Sequence, residues 1–266
     1  ADYADQVDDL AGVLHNVALA ARADTRSRIA NSVQTRRFLE LGLGLLQEDL
    51  LQHAGPVLDG SDKSRLFDAI SRERILGAAD ESWLLSVNQF RRRWNLKNHY
   101  TEDLIAYLFR LGPLAERLDE MDVAADQLMA TASFGELVRA LASATLHQAQ
   151  SDRLTSLRMI LEVAMPSHAR VREFAEAQEE LLLPRWAALY ERVAAAYGLR
   201  LATGRTWRDV AMIFNTLLAG ELVATGRSGT PPRLSTGEDV LLGGILAMLS
   251  SLVANPVDWD SLYMPK

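Results

Sequence analysis

The fold class is decided by residues 206–225, which read TWRDVAMIFNTLLAGELVAT. Thr206 and Asp209 have the spacing of a capping box, in which each side chain accepts a hydrogen bond from the backbone N–H of the other residue. After this start, apolar side chains recur every three or four residues, as on one face of a helix: Val210, Ile213, Phe214, Leu217 and Leu218. The stretch therefore predicts an amphipathic helix that ends near Gly226.

The same helical signals extend over nearly the whole chain. Ser133 and Glu136 form a second capping box, and Gly198 has the position of a helix-ending glycine. Pro184 predicts a kink or a brief break inside a long helix. Periodicity predicts helices over 4–22, 25–53, 65–79, 101–110, 133–150, 151–164, 167–197 and 238–255, with two short segments at 86–94 and 97–100. Because no alternating strand pattern of any length occurs, we expect an all-α fold.

Composition excludes several classes of protein. The 266 residues are 48% apolar, which excludes intrinsic disorder, and the lack of cysteine excludes disulfides and thiol nucleophiles. A net charge of −7 argues against a protein that coats nucleic acid over its whole surface. The chain opens with acidic residues, the wrong sign for a secretory signal, and no apolar run approaches the ~18 residues that span a bilayer. We therefore expect a cytoplasmic protein with no membrane partner.

No catalytic or cofactor-binding motif is recognisable in the sequence. The five histidines are isolated, so the paired spacing of zinc proteases is missing, and the chain has neither a G-x-S-x-G elbow nor a phosphate-binding loop. Gly42-x-Gly44 has no third glycine and lies in a helical run, which argues against a dinucleotide-binding fold. We expect no catalytic residues, no metal and no cofactor, and interpret the chain as a non-enzyme.

Residues 90–100, FRRRWNLKNHY, combine positive charge with aromatic and amide side chains. Arginine and lysine neutralise phosphates, while amide and hydroxyl groups reach base edges or phosphate oxygens. Two short helices with a tight junction are what a helix-turn-helix requires. The candidate DNA-binding residues are Arg91, Arg92, Arg93, Lys97, Asn98, His99 and Tyr100. The alternative is that the arginines form a solvated helix face or pair with Asp80, Glu81 and Asp103.

The predicted helices near 207–225 and 238–255 are both rich in apolar residues. The second is apolar on more than one face and carries Gly243 and Gly244 in its middle, which fits a close approach by another helix backbone. We expect the pair to dock on its copy as a four-helix dimer interface; the alternative is the central helix of a monomer. Glu221, near the apolar stripe of the first helix, is either a polar anchor in a pocket or interface, or a residue at the solvent-exposed edge.

From about Ser71 onward, the chain resembles the tetracycline-repressor-like (TetR) transcriptional regulators of the divergent actinobacterial type. The strongest similarity is between residues 189–225, LYERVAAAYGLRLATGRTWRDVAMIFNTLLAGELVAT, and the family's penultimate long helix, short loop and first dimerisation helix. SRERILGAAD at 71–80 is similar to the first DNA-binding helix. SVNQFRRRWNL falls at the second helix and turn, and HYTEDLIAYLF resembles the recognition-helix end. Two features depart from the family: the glycine-containing turn after the first helix is missing, and the segment 81–100 is shorter than an intact helix-turn-helix of the family.

The resemblance implies three regions. Residues 1–70 are an extra helical region, in one interpretation a degenerate tandem copy, because RRFLELGLGLLQED at 36–49 is again similar to the family's first helix. Residues 71–110 are the helix-turn-helix-like region, and 111–266 are the effector-binding and dimerisation domain. In such a domain, helices between Leu104 and Tyr197 enclose an apolar or amphipathic effector. The candidate ligand-binding residues are Phe109, Met121, Met129, Phe134, Met159, Phe174, Trp186, Tyr190 and Phe214.

The implied function is a ligand-responsive, DNA-binding transcriptional regulator that acts as a homodimer on double-stranded operator DNA. In such a regulator, effector binding changes the spacing of two DNA-reading heads. The alternative is a helical ligand-binding or protein-interaction module that has lost DNA binding. Steep salt dependence of nucleic-acid binding favours the first function, and a stable protein complex without it favours the second. A sequestration protein or an unrecognised enzyme has no supporting motif.

Overall fold

The computed structural model describes residues 8–52, 67 and 70–254, and the fold is all-α as predicted. The described chain divides into two compact units. Of the described residues, unit 1 contains 8–52, 67, 70–112 and Leu157–Ala175, and unit 2 contains Pro113–Ser156 and 176–254. The regions that the sequence separated at residue 70 therefore share one unit, and a later segment of the chain joins them.

In the described part of unit 1, five α-helices precede Gly112. They are α1 (Ala23–Ala30), α2 (Val33–Gln47), α3 (Arg72–Gly77), α4 (Val87–Arg93) and α5 (Lys97–Leu108), with a π-helical turn at Glu48–Gln52 and a 3-10 turn at Glu81–Trp83. Helix α2 contacts each of the other four. It does so because Phe38, Leu39 and Leu46 give it a buried apolar stripe around which the other helices pack.

Residues 8–22 form turns, where apolar periodicity predicts a helix. The apolar stripe is nevertheless buried: Leu10, Leu14 and Val17. The backbone N–H groups of His15 and Asn16 donate to the side chain of Asp103 over 2.9 Å each, instead of to a preceding helical turn. A long-range polar contact has therefore replaced the local helical bonds, while the apolar side chains keep their burial.

The other differences in unit 1 concern where helices begin and end. The predicted helix 25–53 is interrupted before α2, where the hydroxyl of Ser32 accepts a hydrogen bond from Thr35 N–H and caps a new helix. Of the predicted helix 65–79, the described residues show only α3, and α5 begins at Lys97 rather than at position 101. Parts of the predicted helices lie outside the described residues: 4–7, 53, 65–66, 68–69 and 255.

Unit 2 is built from the helices that follow. Their bounds are α6 (Gly112–Met129), α7 (Phe134–Ser151), α8 (Arg153–Ala164), α9 (Ala169–Ala196), α10 (Trp207–Ser228) and α11 (Val240–Leu252), and α8 and α9 contribute residues to both units. Both predicted capping boxes are confirmed, at the starts of α7 and α10. Gly198 follows α9 with a φ of +67°, as a helix-ending glycine should, and α9 continues through Pro184 without a break.

The core of unit 2 lies between α7, α9, α10 and α11. Val210 and Phe214 of α10 are buried together with Ile245 and Leu246 of α11. The described residues contain no β-strand, only isolated bridges, and one of them joins Leu201 to Val253. This bridge ties the chain that follows α9 to the end of α11.

Candidate functional site

A cavity of about 100 Å³ lies inside unit 2, between α7, α9, α10 and α11. Aromatic side chains make much of its wall: Phe134, Trp186, Tyr190, Trp207 and Phe214. Thr145 and Asn215 add polar groups, and the described residues that line the cavity include no Asp, Glu, Lys, Arg or His. The cavity is therefore suited to a molecule without charge.

One face of α7 forms a wall of this cavity. The capping box fixes where α7 begins, since Glu136 Oε2 accepts a hydrogen bond from Ser133 N–H over 2.8 Å. Residues three or four positions apart then fall on one helix face. The side chains on this face line the cavity throughout: Phe134, Leu137, Val138, Leu141 and Thr145.

Tilted and edge-to-face aromatic rings form the wall on α9 and α10. The Tyr190 ring lies 5.6 Å from the Trp186 ring and 5.6 Å from the Phe214 ring, measured between centroids. The contact with Phe214 is T-shaped, a favourable arrangement for aromatic quadrupoles, worth about 0.5–1.5 kcal/mol beyond the buried area. These contacts fix the rings in place around the cavity.

Three neutral polar side chains reach the cavity from three different helices. Thr145 comes from α7, Tyr190 from α9 and Asn215 from α10. None of the three side chains has a hydrogen-bond partner among the described residues. Burial raises the pKa of the Tyr190 hydroxyl, which therefore stays protonated and can donate.

The structure brings together only some of the predicted ligand-binding residues. Those that line the cavity are Phe134, Trp186, Tyr190 and Phe214. Met121 and Met129 instead pack against the core cluster of α6, α7 and α9. The remaining three belong to unit 1 and have no part in this cavity: Phe109, Met159 and Phe174, with Phe109 and Phe174 stacked at 6.2 Å.

Among the lining residues that the sequence did not assign to ligand binding, Trp207 and Asn215 have side chains that can contact a ligand through a ring or a polar group. Trp207 is the first residue of α10, directly after the capping box, and that box was the signal that could have placed it. Asn215 follows Phe214 on α10 and is polar, so it does not belong to the apolar stripe. A search for apolar residues at helical spacing therefore does not find Asn215, although it lines the same wall as its apolar neighbours.

Glu221 of α10 is buried, with 2% of its surface exposed, and is not a residue at a solvent-exposed edge. Its Oε2 accepts a hydrogen bond from Leu241 N–H in the first turn of α11, while its Oε1 has no partner among the described residues. Burial raises the pKa of this carboxyl group. Because the Leu241 side chain lines the cavity, Glu221 positions part of the cavity wall without lining it.

Four of the predicted DNA-binding residues are exposed around the connection between α4 and α5 at residues 94–96: Arg91, Arg92, Lys97 and Asn98. Arg91 and Arg92 have no ion-pair or hydrogen-bond partner among the described residues, so they do not pair with Asp80, Glu81 or Asp103. His99 is half-buried, and its Nδ1 lies 3.1 Å from Asn95 Oδ1. We call Arg91, Arg92, Lys97 and Asn98 the basic corner.

Arg93 is not available for DNA, which corrects its assignment from the sequence. Its guanidinium donates to Thr35 Oγ1 over 2.8 Å, to Gln89 O over 3.0 Å and to Ser32 Oγ over 3.0 Å. The side chain therefore ties α4 to the start of α2. In a run of three arginines, only the packing of α4 on α2 distinguishes this one from the two before it.

Tyr100 is also an internal residue and not a DNA contact. Its ring belongs to an aromatic cluster with Phe38, Phe90 and Trp94, with centroids 5.0 to 6.3 Å apart. Its hydroxyl donates to Phe38 O over 2.7 Å. Gly42 makes room for it, because a Cβ there would overlap the hydroxyl. The helical glycine at position 42 thus serves packing in α2.

Asp103 is the buried polar centre of unit 1, with 1% of its surface exposed. Its Oδ1 accepts from the backbone N–H groups of His15 and Asn16 and, over 3.2 Å, from Asn16 Nδ2. Its Oδ2 accepts from Trp94 Nε1 over 2.8 Å. Burial raises the pKa of Asp103, and the hydrogen bonds from Trp94 and Asn16 oppose that rise. All of these contacts are internal, so this carboxylate has a structural role.

Helix α10 exposes a stripe of uncharged residues. Met212 and Val223 are 49% and 63% exposed, and Thr216 and Gly220 lie exposed between them at helical spacing. Within the described residues, α10 alone is both long and apolar enough to cross a membrane, and 22% of its apolar stretch is buried. One such helix is weak evidence for a membrane span.

The two glycines of α11 do not face another helix backbone, contrary to the prediction. A methyl group at Gly243 would overlap the side chain of Leu234, and one at Gly244 would lie 3.3 Å from Leu217 Cδ1. Both glycines therefore leave room for leucine side chains of the same unit. Close packing explains both glycines, as expected, but each glycine packs against a leucine side chain and not against a helix backbone.

The chain matches no known protein-family model, no curated protein and no solved structure. The described residues contain no group of three or more His, Cys, Asp or Glu side chains that could hold a metal ion. The features with functional content are therefore the cavity of unit 2, the basic corner of unit 1 and the exposed stripe of α10.

Proposed function

We propose that this chain is a ligand-responsive, DNA-binding transcriptional regulator of the cytoplasm, similar to the TetR-like regulators, and that it acts as a homodimer. The observation that carries the proposal is the aromatic cavity of unit 2. Protein cores normally fill such space with their own side chains. A concave apolar site with a few convergent polar groups is typical of small-molecule binding.

Support for DNA binding comes from the basic corner. Arg91 and Arg92 are exposed and make no internal contact among the described residues, so they can neutralise phosphates without breaking an interaction. Arg93 and the aromatic cluster hold α4 in place behind them. Exposed cations on a helix that is fixed by its own core are a feature of helix-turn-helix readers.

Support for the homodimer comes from the exposed stripe of α10. Thr216 and Gly220 are small, so the backbone of a second helix can approach the middle of the stripe. Met212 and Val223 supply apolar area at its two ends. A second copy of α10 would cover this stripe by the self-complementary contact that two-fold symmetric dimers use.

An effector can regulate such a dimer only through a difference in affinity. It must bind the DNA-binding state and the other state unequally, and DNA must then alter effector affinity by the same factor. The cavity and the basic corner belong to different units, and this linkage requires no contact between effector and DNA.

The test is a mobility-shift titration with DNA from upstream of the protein's own gene, at 50 and 200 mM salt. If each protomer contributes Arg91 and Arg92, about four phosphate contacts predict a loss of roughly 100-fold in affinity between the two salt concentrations. We expect Arg91→Gln with Arg92→Gln to weaken binding at least tenfold and to flatten the salt dependence.

The matched control is Arg153→Gln with Arg172→Gln, which removes the same charge from two other exposed positions. It should leave specific binding within about twofold, because screening limits distant charges. Equal weakening by both pairs, or an unaltered affinity in the first pair, would remove the basic corner from the proposal. Arg93 is kept intact in both variants, since its loss would disturb the contact of α4 with α2.

A second candidate is a ligand-binding or protein-interaction module that has lost DNA binding. Two of the seven predicted DNA-binding residues, Arg93 and Tyr100, make hydrogen bonds within the protein, and this favours the second candidate. The net charge of −7 favours it as well. Weak binding without sequence preference in the mobility shift, together with ligand binding in unit 2, would support this candidate over the regulator.

A further inference from the structure

We infer that the cavity of unit 2 takes an uncharged compound of one aromatic ring with a single hydrogen-bonding substituent, of the phenol class. The inference depends on the proposed function only where it concerns regulation of DNA binding. The ligand class itself follows from the volume, the wall and the polar groups of the cavity.

The volume limits the ligand to about one ring. The cavity measures about 100 Å³. Apolar protein cavities of about 150 Å³ bind benzene, so this space is of the order that a single six-membered ring requires. A fused-ring system or a long acyl chain would have to displace side chains that are held by the core of unit 2.

The wall favours an aromatic ligand over an aliphatic one. The Trp186, Tyr190 and Phe214 rings already stand in tilted and edge-to-face contact with one another. A further ring between them can adopt the same offset or edge-to-face geometry, which adds attraction beyond buried area. An aliphatic ring of equal volume gains the free energy of burial but lacks the additional attraction between aromatic rings.

The polar groups require a neutral ligand that can form a hydrogen bond. Thr145, Tyr190 and Asn215 are partly buried and offer hydroxyl and amide groups that make no hydrogen bond to the described residues. A ligand hydroxyl can bond to one of them, whereas a hydrocarbon leaves all three without a partner and forgoes that gain. A carboxylate or an ammonium would enter without a counter-charge, since the described lining residues carry none.

The test compares p-cresol, p-xylene and p-toluate, which share a methylbenzene frame and differ in the group opposite the methyl. Binding to the full chain is measured by isothermal titration calorimetry. We expect p-cresol to bind at least tenfold more tightly than p-xylene, and p-toluate at least a hundredfold more weakly than p-cresol. Equal affinities for p-cresol and p-xylene, tighter binding of p-toluate, or no binding of p-cresol would overturn the ligand class.

Variants of matched shape locate the effect in the cavity. Tyr190→Phe, Thr145→Val and Asn215→Leu together remove the polar groups and keep the shape, so the preference for p-cresol over p-xylene should fall to about one. The control is Tyr197→Phe, which removes a hydroxyl that donates to Ala132 O outside the cavity wall, and it should keep the preference. A preference that survives in the triple variant would place the site elsewhere. If the triple variant does not fold, Ala142→Phe, which fills the cavity, should abolish p-cresol binding.

The same preparation distinguishes failure of this inference from failure of the proposed function. Binding of p-cresol by a chain that does not bind DNA leaves the ligand class standing and removes the regulator. Salt-sensitive, specific DNA binding by a chain that ignores p-cresol overturns the ligand class and keeps the regulator.

Discussion

Two regions of this protein contain polar side chains among apolar ones, and the hydrogen bonding of these polar side chains differs between the two regions. Around Asp103 in unit 1, the carboxylate accepts hydrogen bonds from two backbone N–H groups far away in the chain, at His15 and Asn16, and from the nearby side chain of Trp94. Around the cavity of unit 2, the hydroxyl of Tyr190 and the amide of Asn215 have no partner among the described residues. The first arrangement consolidates a fold, and the second leaves hydrogen-bonding capacity for another molecule.

Hydrogen bonding within the protein separates polar groups with a structural role from polar groups that are available for binding. Residue type does not separate them, because Tyr100 and Tyr190 both pack beside other aromatic rings. Their hydroxyl groups do: Tyr100 donates to Phe38 O, and Tyr190 donates to no described residue. The predictions that follow test this difference.

The largest effect on stability is expected at Asp103, whose two oxygens both accept hydrogen bonds. Asp103→Ala leaves the buried donor of Trp94 and the partly buried donors of His15 and Asn16 without an acceptor, so we expect a loss of about 3 kcal/mol in the free energy of unfolding. Urea denaturation followed by circular dichroism measures it. Glu120→Ala, at an exposed position, should change stability by less than about 0.5 kcal/mol. A loss below about 1 kcal/mol for Asp103→Ala would contradict the structural role of this carboxylate.

Glu221 is intermediate, because one of its oxygens has a partner and the other has none. Burial raises its pKa above the usual value, so the stability that it contributes is present below pH 4.5 and falls as pH rises through the raised pKa. Glu221→Gln keeps an oxygen for Leu241 N–H and removes the titration. We expect it to stabilise the protein by about 1 kcal/mol at pH 8 and to match the wild type at pH 4.

Urea unfolding of both proteins at the two pH values checks the Glu221 prediction. The burial of Asp103 contributes its own pH dependence, but it does so equally in both proteins and cancels in the difference. A difference that is the same at pH 4 and pH 8 would show that the pKa of Glu221 is equal in the folded and unfolded states, which contradicts the raised pKa.

The smallest effects on stability are expected when tyrosine is replaced by phenylalanine at positions 100 and 190. The two sites can be compared directly, because the substitution is the same at both. Tyr100→Phe removes a hydrogen bond to a buried carbonyl and should lower stability by about 1 kcal/mol. Tyr190→Phe removes a hydroxyl without a partner and should change stability by less than about 0.5 kcal/mol. Thermal unfolding of the two variants side by side measures both changes. Equal losses would mean that the hydroxyl of Tyr190 is bonded within the protein.

Much of the cavity could be predicted from the sequence, because its walls are helix faces. The α7 stripe from Phe134 to Thr145 lines the cavity as a whole, since a capping box fixed where the helix begins. Phe109 and Phe174 were misplaced because periodicity shows that a side chain is buried and not which neighbours bury it. The same limit applies to Arg93, whose partners at Ser32 and Thr35 lie about 60 residues away.

By itself, the sequence determined the all-α fold, the starts of α7 and α10, and the apolar faces of their helices. These features depend on hydrogen bonds and contacts within about four residues, which local spacing encodes. Only the tertiary structure decided that residues 8–22 form turns, that Arg93 and Tyr100 are internal, and that neutral polar groups meet in one cavity. Those outcomes depend on contacts between distant segments, such as His15 with Asp103 across 88 positions, and local periodicity carries no information about them.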